Sequence, residues 1–330
     1  TAALGTAVGP MVGNFRRGVE ECIVALSERA LKDRSAVVRR RATDALGKIF
    51  GCVIGEDRDL AARGISALSD RALSSRDSGD GIRRRAVETL GTVAVSVMHE
   101  HCGFAVLCVA VLSGRALADR SAIVREAAVD ILGKVIQGCV DDGRNVTVLG
   151  GRCIAVLSER AFADPDVGVR EVAAEILGRV AVSGGGAPTP LALQSIRTLM
   201  DRALVDSAFT IRLVAINSLG EVALEAHDDS LAMACAVVLR DKALRSRMNL
   251  GTIVRRWAVY TLGRVASGAL EAGERRMELV AVCINALADR GLGDSISAVR
   301  EAAAAALRDV GLASVGSSGA ASAACVSALT

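Results

Sequence analysis

The sequence predicts an all-α fold built as an array of two-helix repeats, and three observations predict it. A ten-residue segment running from Val38-Arg39 to Leu46-Gly47 returns six more times along 330 residues. The intervals between its arginines are 44, 42, 45, 42, 43 and 45 residues, the length of one supersecondary unit in a helical array. Hydrophobic residues make up 51% of the chain but aromatic ones only 2%. A compact core of this size normally uses more large rings, whereas Ala, Leu, Val and Ile suit thin layers of closely packed helices.

Each repeat reads as helix A, a short turn, then helix B. Helix A carries Cys22-Ile23-x-x-Leu26-x-x-Arg29-Ala30-Leu31, which recurs over 153–162 and 283–292. Helix B carries the Val/Ile-Arg-x-x-Ala-x-x-x-Leu-Gly segment. In both, apolar residues fall at i, i+3 or i+4, and i+7 or i+8, the helical period. Helices this short are marginal alone and become stable by stacking on the next repeat. Four residues before the helix-A leucine stand Cys22, Gly64, Cys108, Cys153, Ser195, Cys235 and Cys283. Only small side chains occur there, so this slot is predicted to face a neighbouring helix at close range.

Six residues before each helix-B arginine lies Asp33, Asp77, Asp119, Asp164, Asp206 or Asp294, with Asn249 in the sixth repeat. This Asp-x5-Arg spacing, with Ala and Leu-Gly following, resembles the HEAT-repeat family over essentially the whole chain. The resemblance implies a right-handed α-α superhelix of the HEAT/armadillo type, with helix B on the concave face. It also implies a hydrogen-bonded ladder between repeats, in which those acidic and amide residues face Arg39, Arg83, Arg125, Arg170, Arg212, Arg255 and Arg300. A charge-assisted pair that caps helix B and bridges layers accounts for both residue types.

On this reading residues 1–330 are one HEAT-repeat solenoid of seven complete repeats with a half-repeat at each end. Ala3-Leu4-Gly5 matches Ala45-Leu46-Gly47 at a distance of 42, and residues 325–329 match 22–26. Solenoid ends need polar caps, so the expectation is a segment of a longer array. The A–B turn spans seven residues in five repeats, nine from Leu73 to Ile82 and ten from Leu244 to Val254. Insertions of this kind collect on one edge of an array, often a binding edge. The Gly-rich stretch 183–190 keeps the period and reads as a loop.

Several function classes find no support. No apolar run reaches the roughly 18–20 residues that span a bilayer, and the first residues lack a secretory signal pattern. A net charge of +3 is too small to imply nucleic acid or membrane by itself. Nine cysteines without a CxxC pair, mostly in the helix-A slot, point to a reducing intracellular compartment. His99-Glu100-His101-Cys102 lacks a second ligand pair for a metal site and reads as a solvated loop. No phosphate-binding loop, nucleophile elbow or dinucleotide fingerprint occurs, so neither catalysis nor a cofactor is expected.

The expected role is a non-catalytic scaffold that binds other proteins within a large complex, through the helix-B face and the longer turns. Its candidate contact residues are Arg256, Trp257, Tyr260 and Arg264 on helix B of repeat six. Trp257 and Tyr260 are the chain's single Trp and single Tyr, and Trp, Tyr and Arg are enriched in binding hot spots. Tyr260 stands where other repeats carry Asp44, Glu88, Asp130 and Glu175. The Arg triplets offer Arg40, Arg41, Arg84 and Arg85 as a second surface, for an acidic partner or a nucleic-acid backbone. A HEAT-like lyase or enzyme subunit is the remaining alternative.

Overall fold

The computed structural model describes residues 16–28, 30–54, 57–73, 79–142, 147–183, 189–248 and 250–314. Among these residues it holds fourteen α-helices and no strand. They alternate as A and B partners: α1 Arg16–Glu28, α2 Ala36–Val53, α3 Arg58–Ala67, α4 Asp80–Val97, α5 Cys102–Val111, α6 Ala122–Asp142 and α7 Thr147–Glu159. They continue as α8 Val167–Val182, α9 Pro190–Asp201, α10 Phe209–Glu225, α11 Asp229–Val238, α12 Gly251–Glu271, α13 Met277–Ala286 and α14 Ser297–Ser314. The predicted terminal half-repeats, Asp77, Asn249 and residues 184–188 of the Gly-rich loop lie outside the described residues. No described helix is long and apolar enough to cross a membrane.

The chain divides into two compact units, residues 1–173 and 174–330. In the first, helix B packs on helix B, α2 on α4 and α4 on α6, with α1, α3, α5 and α7 as the partner layer. In the second, α10 packs on α12 and α12 on α14, with α11 and α13 outside them. Burial follows the sequence period. Helix α1 buries Val19, Ile23 and Leu26, and α12 buries Val254, Ala258, Leu262, Val265 and Ala269. Removing such surface from water contributes about 25 cal/mol per Å², and each layer exists only because its neighbour supplies the other wall.

Local signals set the helix starts. Asp57 accepts from the N–H groups of Asp59 and Leu60 to begin α3. Thr189 accepts from Ala192, with Pro190 in the first turn, to begin α9, and Asp228 accepts from Ser230 to begin α11. The A helices end in two ways. Three tighten into a 3-10 turn (Ala30–Lys32, Ala161–Ala163, Ala203–Val205), and four widen into a π turn (Leu68–Leu73, Leu112–Ala116, Leu239–Ala243, Leu287–Leu292).

The small-residue slot on helix A is a close approach. Cys108, Cys153, Ser195, Cys235 and Cys283 are fully buried there. A Cβ at Gly64 would overlap the Phe50 ring of α2. The glycine of the Leu-Gly motif does similar work on helix B: a Cβ at Gly47, Gly91 or Gly220 would strike Thr89, Ile131 or Thr261 of the next B helix.

Candidate protein-binding face

The polar residues of the repeat sort into those consumed by stacking and those left on the surface. Ladder aspartates sit in the A–B turn, where each carboxylate accepts the N–H two residues on. The distances are 2.7 Å for Ser35 on Asp33, 2.8 Å for Ser121 on Asp119, 2.9 Å for Asp166 on Asp164, 2.8 Å for Ala208 on Asp206 and 2.9 Å for Ile296 on Asp294. This Asx turn starts helix B. The arginine six residues on folds back, and its Nη1 donates to the same aspartate's carbonyl. That bond is 2.6 Å for Arg39, 2.8 Å for Arg125 and Arg170, 2.5 Å for Arg212 and 2.9 Å for Arg300.

The remaining guanidinium N–H groups cross to the next repeat. Arg83 donates to both carboxylate oxygens of Asp119 at 2.7 and 3.1 Å. Arg125 does so to Asp164 at 2.6 and 2.8 Å, and Arg255 to Asp294 at 2.6 and 3.1 Å. Donating to Asp119 raises the pKa of Arg83, and donating to Asp164 raises that of Arg125, each against the opposing effect of burial. Burial also works against the charge of Asp294, but the Arg255 bond and the Ile296 N–H outweigh it and hold the carboxyl below its ordinary range. The two longer turns supply further acceptors to their arginines. Arg83 uses the Asp80 carboxylate at 2.7 Å and Arg255 the Ser246 carbonyl at 2.8 Å. Arg212 is fully buried, and desolvation lowers its pKa.

A second inter-repeat row runs along the ends of the A helices and was not assigned from the sequence. Arg115 pairs with Asp70, Arg160 donates to the Ser113 carbonyl at 2.5 Å, and Lys242 reaches the Met200 carbonyl at 2.8 Å and Asp201 at 3.2 Å. The signal was present: an acidic-basic dipeptide recurs as Asp70-Arg71, Glu159-Arg160, Asp201-Arg202 and Asp241-Lys242. Repeat three has Gly114 in the acidic place, and Arg160 accordingly takes a backbone carbonyl one residue earlier.

The two Arg triplets, alike in sequence, differ in the structure. Arg84 bonds Glu88 at 2.9 Å, and Arg85 bonds Asp44 of α2 at 2.5 Å and Glu88 at 3.1 Å. The Asp44 bond raises the pKa of Arg85. With Arg83 on its rung, the second triplet is matched by carboxylates. Arg40 and Arg41 are exposed, and Arg41 lines a cleft of about 390 Å³ between α2 and α4 with Asp44, Lys48, Arg85 and Thr92.

Repeat six differs from the rest of the B face. Trp257 is 40% and Tyr260 56% exposed, with ring centroids 5.9 Å apart at 45°. Trp257 donates from Nε1 to Asn217 Oδ1 of α10 at 2.5 Å, which holds the indole at the surface. Asn217 plays toward Trp257 the part that Asp44 plays toward Arg85. Arg264 pairs with Glu221 at 2.9 Å, and Arg256 is exposed. Elsewhere His101 precedes α5 and Cys102 is exposed beside it. Among the described residues no group of three His, Cys, Asp or Glu side chains is placed to hold a metal.

No protein-family model and no curated protein matches the chain. Solved structures do. Importin beta aligns at 14% identity over 90% of this chain and 44% of its own, with a TM-score of 0.51. A chain from a structure of Kap95p binding RanGDP aligns at 13% identity over 93% of this chain and 43% of its own, with a TM-score of 0.50. At these identities the likeness concerns the fold, an all-α helical-repeat solenoid. The chain spans less than half the length of both.

Proposed function

Starting from a HEAT/armadillo-type helical-repeat fold, we propose that the chain is a non-catalytic protein-binding scaffold within a multiprotein assembly. Partners meet it on the B face of repeat six and the longer A–B turns. The observation that carries this reading is the exposed Trp257–Tyr260 pair, the chain's only Trp and Tyr, held in contact at the surface. Aromatic side chains bury large area at small entropic cost and concentrate in hot spots. A chain of similar fold adds support, since it comes from a structure of Kap95p binding RanGDP. An intracellular, reducing setting belongs to the same proposal, since the described cysteines are free thiols, five of them buried.

The test is capture of proteins on the immobilised full chain and on its Trp257→Ala/Tyr260→Ala variant. Proteins retained by the first and lost by the second are the expected result. An identical set on both would remove repeat six from the proposal. The nucleic-acid alternative rests on Arg40 and Arg41, because Arg84 and Arg85 are matched by Asp44 and Glu88. A titration against salt separates it, since phosphate contacts weaken binding steeply with ionic strength.

A further inference from the structure

Three features of repeat six coincide. The first is an apolar line. Leu250, Ile253, Trp257 and Tyr260 follow one another at intervals of 3, 4 and 3 residues, and each is at least 40% exposed. That is the a/d spacing by which one helix seats another. Met248, equally exposed, extends the line into the longer turn. Other repeats break it: the Tyr260 place holds Asp44, Glu88 and Asp130, and the Trp257 place holds Arg41, Arg85 and Ala127.

The second feature is strain. Leu250 has φ of 54°, the one positive value at a non-glycine residue among those described. A branched side chain there is disfavoured by the clash of Cβ with the following carbonyl. The next residue must be small as well, since a Cβ at Gly251 would lie 2.5 Å from the Ser246 carbonyl oxygen. The turn thus holds an apolar side chain in solvent on a backbone that would suit glycine. Such coincidences of strain and exposure mark functional positions.

The third feature is charge. Arg247 and Arg256 flank the line, both exposed and with no ion pair among the described residues. Arg264 and Glu221 offset one another. The place of Arg256 is taken on the neighbouring α14 by Glu301, one negative charge to set against the two arginines. The rim is therefore basic.

We propose that Met248, Leu250, Ile253, Trp257 and Tyr260 form a seam for one amphipathic helix of a partner protein, with acidic residues beside its apolar stripe that meet Arg247 and Arg256. The proposal rests on the protein-binding reading and names the class of partner. From Leu250 to Tyr260 the seam is about 15 Å long at 1.5 Å per residue, enough for roughly three turns of a docked helix.

Trp257 is the only Trp, so its emission reports this seam alone. The experiment titrates the full chain with two Trp-free synthetic helices of about 18 residues, sharing one Leu/Met stripe and carrying Glu or Lys at the flanking positions. A saturable blue shift with the Glu peptide, and at least about tenfold weaker binding of the Lys peptide, is expected. Ile253→Asp should abolish the shift, and Leu250→Gly, which relieves the backbone, should weaken it in a fully folded chain. Arg247→Glu/Arg256→Glu should reverse the peptide preference. Equal binding of both peptides, or none of the Glu peptide, overturns the proposal. So does a blue shift that grows with protein concentration alone, which would assign the seam to a second copy. If Trp257→Ala/Tyr260→Ala loses captured proteins while the Glu peptide gives no shift, the scaffold reading stands and this inference falls.

Discussion

The rung between repeats two and three sets the scale of what holds the array together. Asp119→Ala removes a carboxylate that is 7% exposed from a guanidinium that is 3% exposed. It also removes the acceptor for the Ser121 N–H that starts α6. Taking away one partner of a buried pair costs about 3–5 kcal/mol, because the other charge is left without its counterion. Arg83 keeps Asp80 at 2.7 Å, on a carboxylate half open to solvent, which places the cost near the lower end. Asp33→Ala is the control. Asp33 accepts the Ser35 N–H but is itself exposed, so its loss is that of a cap, about 1 kcal/mol. Repeat arrays open locally, so a single global midpoint is the wrong readout. Amide hydrogen exchange followed by mass spectrometry resolves the α4 and α6 peptides. About 3 kcal/mol corresponds to roughly a hundredfold loss of protection there. Asp119→Asn, which keeps the acceptor oxygen, should fall between the two. If Asp119→Ala costs α4 and α6 no more protection than Asp33→Ala costs α2, the rung is not what holds the layers.

Three further outcomes follow from the same geometry. Gly64→Ala should destabilise α2 and α3 by about 1–3 kcal/mol through overpacking against Phe50, and Phe50→Leu should restore part of the loss, read by amide exchange of the α2 and α3 peptides. In native protein at pH 8, a thiol reagent should modify exposed Cys52 and Cys102 quickly. Cys108, Cys235 and Cys283, whose thiols burial pushes up to about 12, should react only on denaturation, when all nine cysteines become available. The Asp294 rung has a folded pKa below the unfolded value, so its contribution is complete above the ordinary carboxylate range and is lost as pH falls through the folded value. Urea midpoints followed by Trp257 emission should therefore change little between pH 7 and 5 on this account and drop below about pH 4, with the acid-sensitive part missing in Asp294→Asn.

The repeat, its two helices and its small-residue slot were legible in the sequence because they depend on periodicity. A side chain that must meet a neighbour every 42 to 45 residues leaves its mark at that interval. The pairing of Asp70-Arg71 and its kin was equally periodic, but a dipeptide does not say whether its charges face water, each other or the next layer. Only the stacked structure sends Arg115 to Asp70 and Arg160 to Ser113. The surface was legible in part. Trp257 and Tyr260 stood out as the only residues of their kinds, and Arg84 and Arg85 looked equivalent to Arg40 and Arg41 until Asp44 and Glu88 were placed beside them.

By itself the sequence determined the local order of this protein: which residues are helical, which face is apolar and where each repeat begins. Tertiary structure decided how the polar residues are spent, because a hydrogen bond across repeats depends on the distance between side chains some forty positions apart. It also decided that Leu250 stands in solvent at a positive φ. No propensity predicts that arrangement, since local preference alone would place glycine there.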